Sequence, residues 1–125
     1  MDIRIKTTDY QPTPEVSQYL NERLASIEKL LDTDAKLARC EVEIGRDAGR
    51  PRHGANIWFA EINVKHPGGT LFRVTNNSES INGAIDDAKE EIAQQIRREK
   101  KVHIRMWRKG GALAKRLLHT SEGND

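Results

Sequence analysis

Residues 56–75 read Asn56-Ile57-Trp58-Phe59-Ala60-Glu61-Ile62-Asn63-Val64-Lys65-His66-Pro67-Gly68-Gly69-Thr70-Leu71-Phe72-Arg73-Val74-Thr75. Trp58, Ala60, Ile62 and Val64 occupy alternate positions, with Ile57, Phe59, Glu61, Asn63 and Lys65 between them. Strand side chains alternate between faces, so 56–65 reads as a strand with one apolar and one mixed face. Residues 71–75 read as another strand. Pro67-Gly68-Gly69 supplies the turn between them, which makes the pair an antiparallel hairpin.

Upstream, Ala38, Cys40, Val42 and Ile44 alternate with Arg39, Glu41 and Glu43, giving a strand with one polar face. Residues 45–54, with Gly45, Arg46, Asp47, Gly49, Arg50, Pro51, Arg52, His53 and Gly54, read as a basic hairpin loop. Earlier still, Ile3 and Ile5 alternate with Arg4 and Lys6, the period of a half-buried strand that ends before Tyr10-Gln11-Pro12.

Two helices fill the gaps. Thr13 accepts a bond from an orphan amide, Pro14 has none to lose at the first helical position, and Glu15 suits the positive end of the dipole. Val16, Leu20, Leu24, Ile27 and Leu31 follow at spacings of four, four, three and four, an amphipathic stripe that Asp32-Thr33-Asp34 ends. Ser78 or Ser80 caps a second helix, whose stripe is Ile81, Ile85, Ala88, Ile92 and Ile96. Gly110-Gly111 is expected to stop it, since each glycine costs about 1 kcal/mol in a helix.

The order is β-α-β-β-β-α. A helical crossover permits parallel pairing and hairpins force antiparallel pairing, so the expectation is α+β with a four-stranded mixed sheet. Both helices bury their stripes on its apolar face. Val16, Leu20, Leu24, Ile27, Leu31, Cys40, Val42, Trp58, Ile62, Val64, Val74, Ile85, Ile92 and Ile96 are the expected core. The domain spans 1–101 and a basic C-terminal tail spans 102–125.

Charge separates along the chain. The formal net of +2 hides a net of −4 over residues 1–96 and +8 over 97–119. Arg97, Arg98, Lys100, Lys101, Arg105, Arg108, Lys109, Lys115 and Arg116 oppose only Glu99 there. A clustered positive field attracts a polyanion, which makes RNA or DNA the leading partner class. Trp107, amid these cations, is placed to stack on a base or to fold back on the domain.

Little points to chemistry. Cys40 sits among inward-facing residues and reads as a small hydrophobe. His53, His66, His103 and His119 lack metal-ligand spacing, and a lone cysteine makes neither a zinc set nor a disulfide. Asp86-Asp87 and Glu90-Glu91 read as solvated helix charge, and Gly68-Gly69 as a turn. No enzyme activity, cofactor, metal, small-molecule substrate or membrane partner is expected. With no signal peptide, the expected location is cytoplasmic. Ile57 and Phe59 lie on the open sheet face beside Glu41, Glu43 and Glu61, which repel phosphate, so base stacking there is not expected.

The chain resembles the ribosome hibernation factors, the family of hibernation-promoting factor and ribosome-associated inhibitor A, formerly called sigma-54 modulation proteins. The resemblance covers roughly residues 1–101. It rests on Ile3-Arg4-Ile5 running into Thr13-Pro14, Tyr19-Leu20-Asn21-Glu22-Arg23-Leu24 with Ile27-Glu28-Lys29-Leu30, Phe59-Ala60-Glu61-Ile62, and Ala84-Ile85-Asp86 with Gln95-Ile96-Arg97-Arg98. It implies a fold like a double-stranded-RNA-binding domain, and binding in the small-subunit channel of messenger and transfer RNA, inhibiting translation under stress. Carried over by position, Arg23, Lys29, Lys89, Arg97, Arg98, Lys100 and Lys101 would contact ribosomal RNA, with Arg105, Arg108, Lys109, Lys115 and Arg116 of the tail added from the charge pattern. The chain departs from the family at Asn82, where an aromatic is usual, and at Glu91 and Gln94, where a lysine and an arginine are common. A general structured-RNA-binding domain, or a protein-interaction module of the sigma-factor-modulating type, are the competing readings.

Overall fold

The computed structural model describes residues 1–49 and 55–122, with side chains up to Val102. Its elements are β1 (Asp2–Thr8), α1 (Pro14–Leu31), β2 (Arg39–Arg46), β3 (Trp58–Lys65), β4 (Leu71–Ser78) and α2 (Ile81–Glu122). A 3-10 segment, Asp32–Leu37, follows α1. The sheet order is β1-β2-β3-β4, with β1 parallel to β2 and the other pairs antiparallel. This is the α+β mixed sheet expected from the strand and helix periods.

Local chemistry sets the boundaries. Thr13 Oγ1 accepts the amide of Val16 at 3.2 Å and Pro14 opens α1. At the other end Asp32 adopts φ 55°, and its amide donates to the Glu28 carbonyl. Ser80, rather than Ser78, caps α2, its Oγ accepting the amide of Gly83 at 3.0 Å. Asn56 takes φ 63° in the turn before β3, so that strand starts two residues later than the sequence suggests. Gly45 is obligatory, because a Cβ there would stand 1.9 Å from the carbonyl oxygen of Thr8, its partner on β1.

The core joins Leu20, Leu24, Ile27 and Leu31 of α1, Cys40, Val42 and Ile44 of β2, and Ala60, Ile62 and Val64 of β3. Phe72 and Val74 of β4 and Ala84, Ile85, Ala88, Ile92 and Ile96 of α2 complete it. α2 packs on β3, β4 and α1. Twelve of the fourteen expected core residues are buried; Val16 and Trp58 are half-buried. Val16 stands in the exposed first turn of α1. Trp58 pairs with Arg46 where β3 begins. Its ring meets Tyr10 edge-on at 5.1 Å, and the Arg46 guanidinium lies 5.0 Å from its centroid.

The larger departure concerns Gly110-Gly111, which was expected to stop the second helix. α2 instead runs through both glycines to Glu122, 42 residues in all. At about 1 kcal/mol each the glycines weaken a helix without forbidding it. Arg105, Met106, Arg108 and Lys109 before them, and Ala112 to Leu118 after, are strong helix formers that carry the backbone across. Arg50, Pro51, Arg52, His53 and Gly54 of the expected basic loop lie outside the described residues, as do the side chains of residues 103–125.

Candidate nucleic-acid interface

The carried-over residues fall into separate groups. Tyr19 and Arg23 are four residues apart in α1 and therefore share a face. Both reach Asp86 on α2: Arg23 Nε donates to Oδ1 at 3.0 Å, and the Tyr19 hydroxyl donates to Oδ2. The Arg23 guanidinium also lies 3.9 Å from the centroid of the Tyr19 ring. Burial pushes the Asp86 carboxyl up, but the hydrogen bonds from Tyr19 and Arg23 outweigh it and hold the group below the usual carboxylate range. The same bonds raise Tyr19 and Arg23.

Arg23 is thus engaged at the seam between the helices, its side chain 29% exposed. Lys89, one turn further along α2, adds a favourable charge to Asp86, its side chain 21% exposed and 3.6 Å from Glu90. Asp86, half exposed, is consequently tied to two donors on α1 rather than left to solvent alone as the sequence suggests. Glu91 is exposed, as expected, and accepts a bond from the side-chain amide of Asn76 at 2.6 Å. Spacing within one helix does not report partners on another element, although the Tyr19/Arg23 pair on one face of α1 was a signal available for a carboxylate to be found.

Lys29, Arg97, Arg98, Lys100 and Lys101 are exposed. Leu31 at the end of α1 and Ile96 of α2 line one hollow of about 260 Å³ with Asp34, His66, Phe72, Glu99 and Lys100. The end of α1 therefore lies beside residues 96–100 of α2, which puts Lys29 at the same end of the domain as the four cations of 97–101. Arg97 Nη1 lies 3.7 Å from Glu90. The backbone positions of Arg105, Arg108, Lys109, Lys115 and Arg116 continue α2, while their side chains are outside the described residues.

The remaining expectations concern chemistry. Cys40 is buried, and burial with the nearby charges of Glu41 and Glu28 pushes its thiol up to about 12, far from a reactive thiolate. Among the described residues no group of three His, Cys, Asp or Glu is placed to hold a metal ion, and no helix is long and apolar enough to cross a membrane. Ile57 and Phe59 are half-buried rather than exposed.

Solved structures share this fold, two of them as follows. The Protein Y N-terminal domain of Thermus thermophilus superposes with a TM-score of 0.61 at 24% identity, covering 78% of this chain and 98% of that one. A ribosomal subunit interface protein from Coxiella burnetii superposes with a TM-score of 0.62 at 13% identity, covering 81% and 99%. No curated protein matches the chain. The sequence model of one family matches residues 3–103, a span that takes in β1 from Ile3 on, β2 to β4, α1 and the sheet-packed part of α2. The chain belongs to the family described as Sigma 54 modulation protein / S30EA ribosomal protein, a family of ribosome-associated factors.

Proposed function

We propose that the chain is a hibernation factor that binds the small ribosomal subunit in the channel used by messenger and transfer RNA and inhibits translation by occupying it. The observation that carries this reading is the exposed group Arg97, Arg98, Lys100 and Lys101, joined at the same end by Lys29, in a chain of this family. Arginine and lysine neutralise phosphate without reading sequence, so such a group positions a domain on folded RNA. Residues 1–101 recognise the channel by shape. Residues 102–125 act as a basic arm, with Arg105, Arg108, Lys109, Lys115 and Arg116 adding phosphate contacts. Arg23 orients α1 against α2 through Asp86, and Lys89 contributes field at the same seam.

The experiment is binding of the purified chain to isolated small subunits and to translating extract. Co-sedimentation with the small subunit, inhibition that tracks occupancy, and competition by messenger or initiator transfer RNA are the expected results. Equal affinity for an unrelated RNA duplex, with no competition, would support a general RNA-binding domain instead. Absence from ribosomal fractions at low salt would overturn both.

A further inference from the structure

The sheet has two edges of unlike character. β4 is flanked by α2, which packs against it. β1 packs only on β2 among the described elements with extensive contact. β1 is seven residues long, in unbroken register with β2 and free of proline. Ile3 and Ile5 stand in register with Cys40 and Val42, so they share the helix-side face of the sheet. Cys40 and Val42 are 0% and 3% exposed, whereas Ile3 and Ile5 are 37% and 45% exposed.

The backbone at this edge is equally open. The amide of Asp2 donates to the Ala38 carbonyl at 3.0 Å. In a parallel ladder alternate residues turn their amide and carbonyl toward the same neighbour, so Asp2, Arg4, Lys6 and Thr8 face β2. Ile3, Ile5 and Thr7 therefore turn theirs outward. A seven-residue, partly apolar edge whose outward donors and acceptors have no partner among the described residues is a template for another strand.

We propose that β1 pairs with β1 of a second copy, antiparallel about a two-fold axis, joining two sheets into one. The register follows from three constraints. Outward-facing residues must oppose outward-facing residues, which rules out any slip by one. Placing Ile3 opposite Ile5 of the second copy satisfies this, exchanges four backbone hydrogen bonds and aligns four isoleucines on the helix side. The same register sets Asp2 opposite Lys6 twice on the other face, an attraction worth having across adjacent strands. A slip of two one way puts Arg4 opposite Lys6 twice, which repels. A slip of two the other way leaves Ile5 opposite Met1 and Lys6 with no partner. The cost of the chosen register is Arg4 against Arg4 on the axis, softened by the Asp2 carboxylate 3.9 Å from Arg4 Nε. Such a contact falls short of the roughly 1,200–2,000 Å² of a stable interface, so the dimer is a weak, concentration-dependent one. Since α2 packs on β3 and β4, away from β1, the pairing leaves Arg97, Arg98, Lys100 and Lys101 free.

Two measurements test the pairing. The first is sedimentation equilibrium of the full chain from about 10 μM to 1 mM, where a monomer–dimer transition in the upper part of the range is expected. Ile5→Pro removes an outward amide and spares the β1–β2 ladder, and should abolish the transition with circular dichroism unchanged. Asp2→Lys should weaken the dimer and the charge swap Asp2→Lys with Lys6→Asp should restore it, which covers the case of an unfolded proline variant. The second is cross-linking. Cys40 is buried, so Arg4→Cys supplies one accessible thiol that meets its own copy across the axis. Oxidised glutathione should convert this variant to a covalent dimer and leave Lys6→Cys monomeric. A wild-type chain that stays monomeric at 1 mM, or equal cross-linking of the two cysteine variants, would overturn the proposal and leave the ribosomal reading untouched.

Discussion

The two halves of α2 use one helix in opposite ways. From Ile81 to Ile96 its buried face is Ala84, Ile85, Ala88, Ile92, Ala93 and Ile96, and its polar face is acidic, with Asp86, Asp87, Glu90 and Glu91. From Arg97 onward Lys and Arg replace the acids, and Glu99 is the last acid before Glu122. The first half is held by packing and by named partners: Asp86 by Tyr19 and Arg23, Glu91 by Asn76. The second half begins with exposed cations. Packing energy is short-ranged and fixes where the helix lies. Charge acts over about 8–10 Å at moderate salt and selects what it approaches. A single helix thus carries a structural register and an electrostatic one, divided near residue 97.

The comparison breaks first at the core. Ile85→Ala in the packed half, or Leu24→Ala facing it from α1, should cost about 2–5 kcal/mol, since both side chains are fully buried and a cavity remains. A urea titration reads this directly. A loss below about 0.5 kcal/mol would show that these faces do not hold the helix.

The next effect belongs to the charged half. Replacing Arg97, Arg98, Lys100 and Lys101 by Gln should leave stability nearly unchanged and weaken binding to the small subunit. Each phosphate contact contributes about 0.7–0.9 to the slope of log affinity on log salt. If all four are engaged, the wild-type chain should lose roughly 50–150-fold more affinity than the variant between 50 and 200 mM salt. Parallel salt dependences would move the interface elsewhere.

Much of this architecture was legible beforehand, for reasons that differ by element. Period-two alternation gave β2 and β3 their inner faces, and Thr13-Pro14 gave α1 its start. These signals are local, so the chain carries them openly. Alternation names the inward residues without saying how far the helices extend over them, which is why Ile3, Ile5 and Trp58 are less covered than their pattern implies. The Tyr19–Arg23–Asp86 seam joins residues 63 and 67 apart and has no local signature. Gly110-Gly111 misled through a rule sound for isolated peptides, where two glycines weigh heavily against a short helix. Of the candidate site, the cations of 97–101 were legible because charge runs are visible in composition, whereas the engagement of Arg23 with Asp86 required the fold.

A third expected effect sharpens the boundary between domain and arm. Removing residues 102–125 should keep the thermal midpoint of the domain, because the described core ends at Ile96. It should weaken ribosome binding by about tenfold at near-physiological salt. That is less than five contacts would give, since holding the arm in place costs conformational entropy. Replacing Arg105, Arg108, Lys109, Lys115 and Arg116 by Gln should reproduce most of the loss. Equal inhibition of translation by full-length and truncated protein would confine the interface to residues 1–101.

The smallest effect tests the seam in the packed half. Asp86 has its carboxyl held below the ordinary value of about 3.9 because its ionised form accepts bonds from Tyr19 and Arg23. Near that pH the unfolded chain binds more protons at this site than the folded one, so stability rises with pH. The contribution is therefore complete above the unfolded value and fades as pH falls through the lower folded one. The side chain is half exposed, so solvent screens it and the effect stays small beside that of Ile85. Thermal midpoints of the wild type and Asp86→Asn from pH 6 down to pH 2.5 should be furthest apart at pH 6 and converge at the acid end. Tyr19→Phe removes one of the two donors and should shift the wild-type acid limb toward higher pH. Curves that stay parallel across the range would mean that the seam is maintained by shape alone, with the carboxylate a bystander between two well-packed helices.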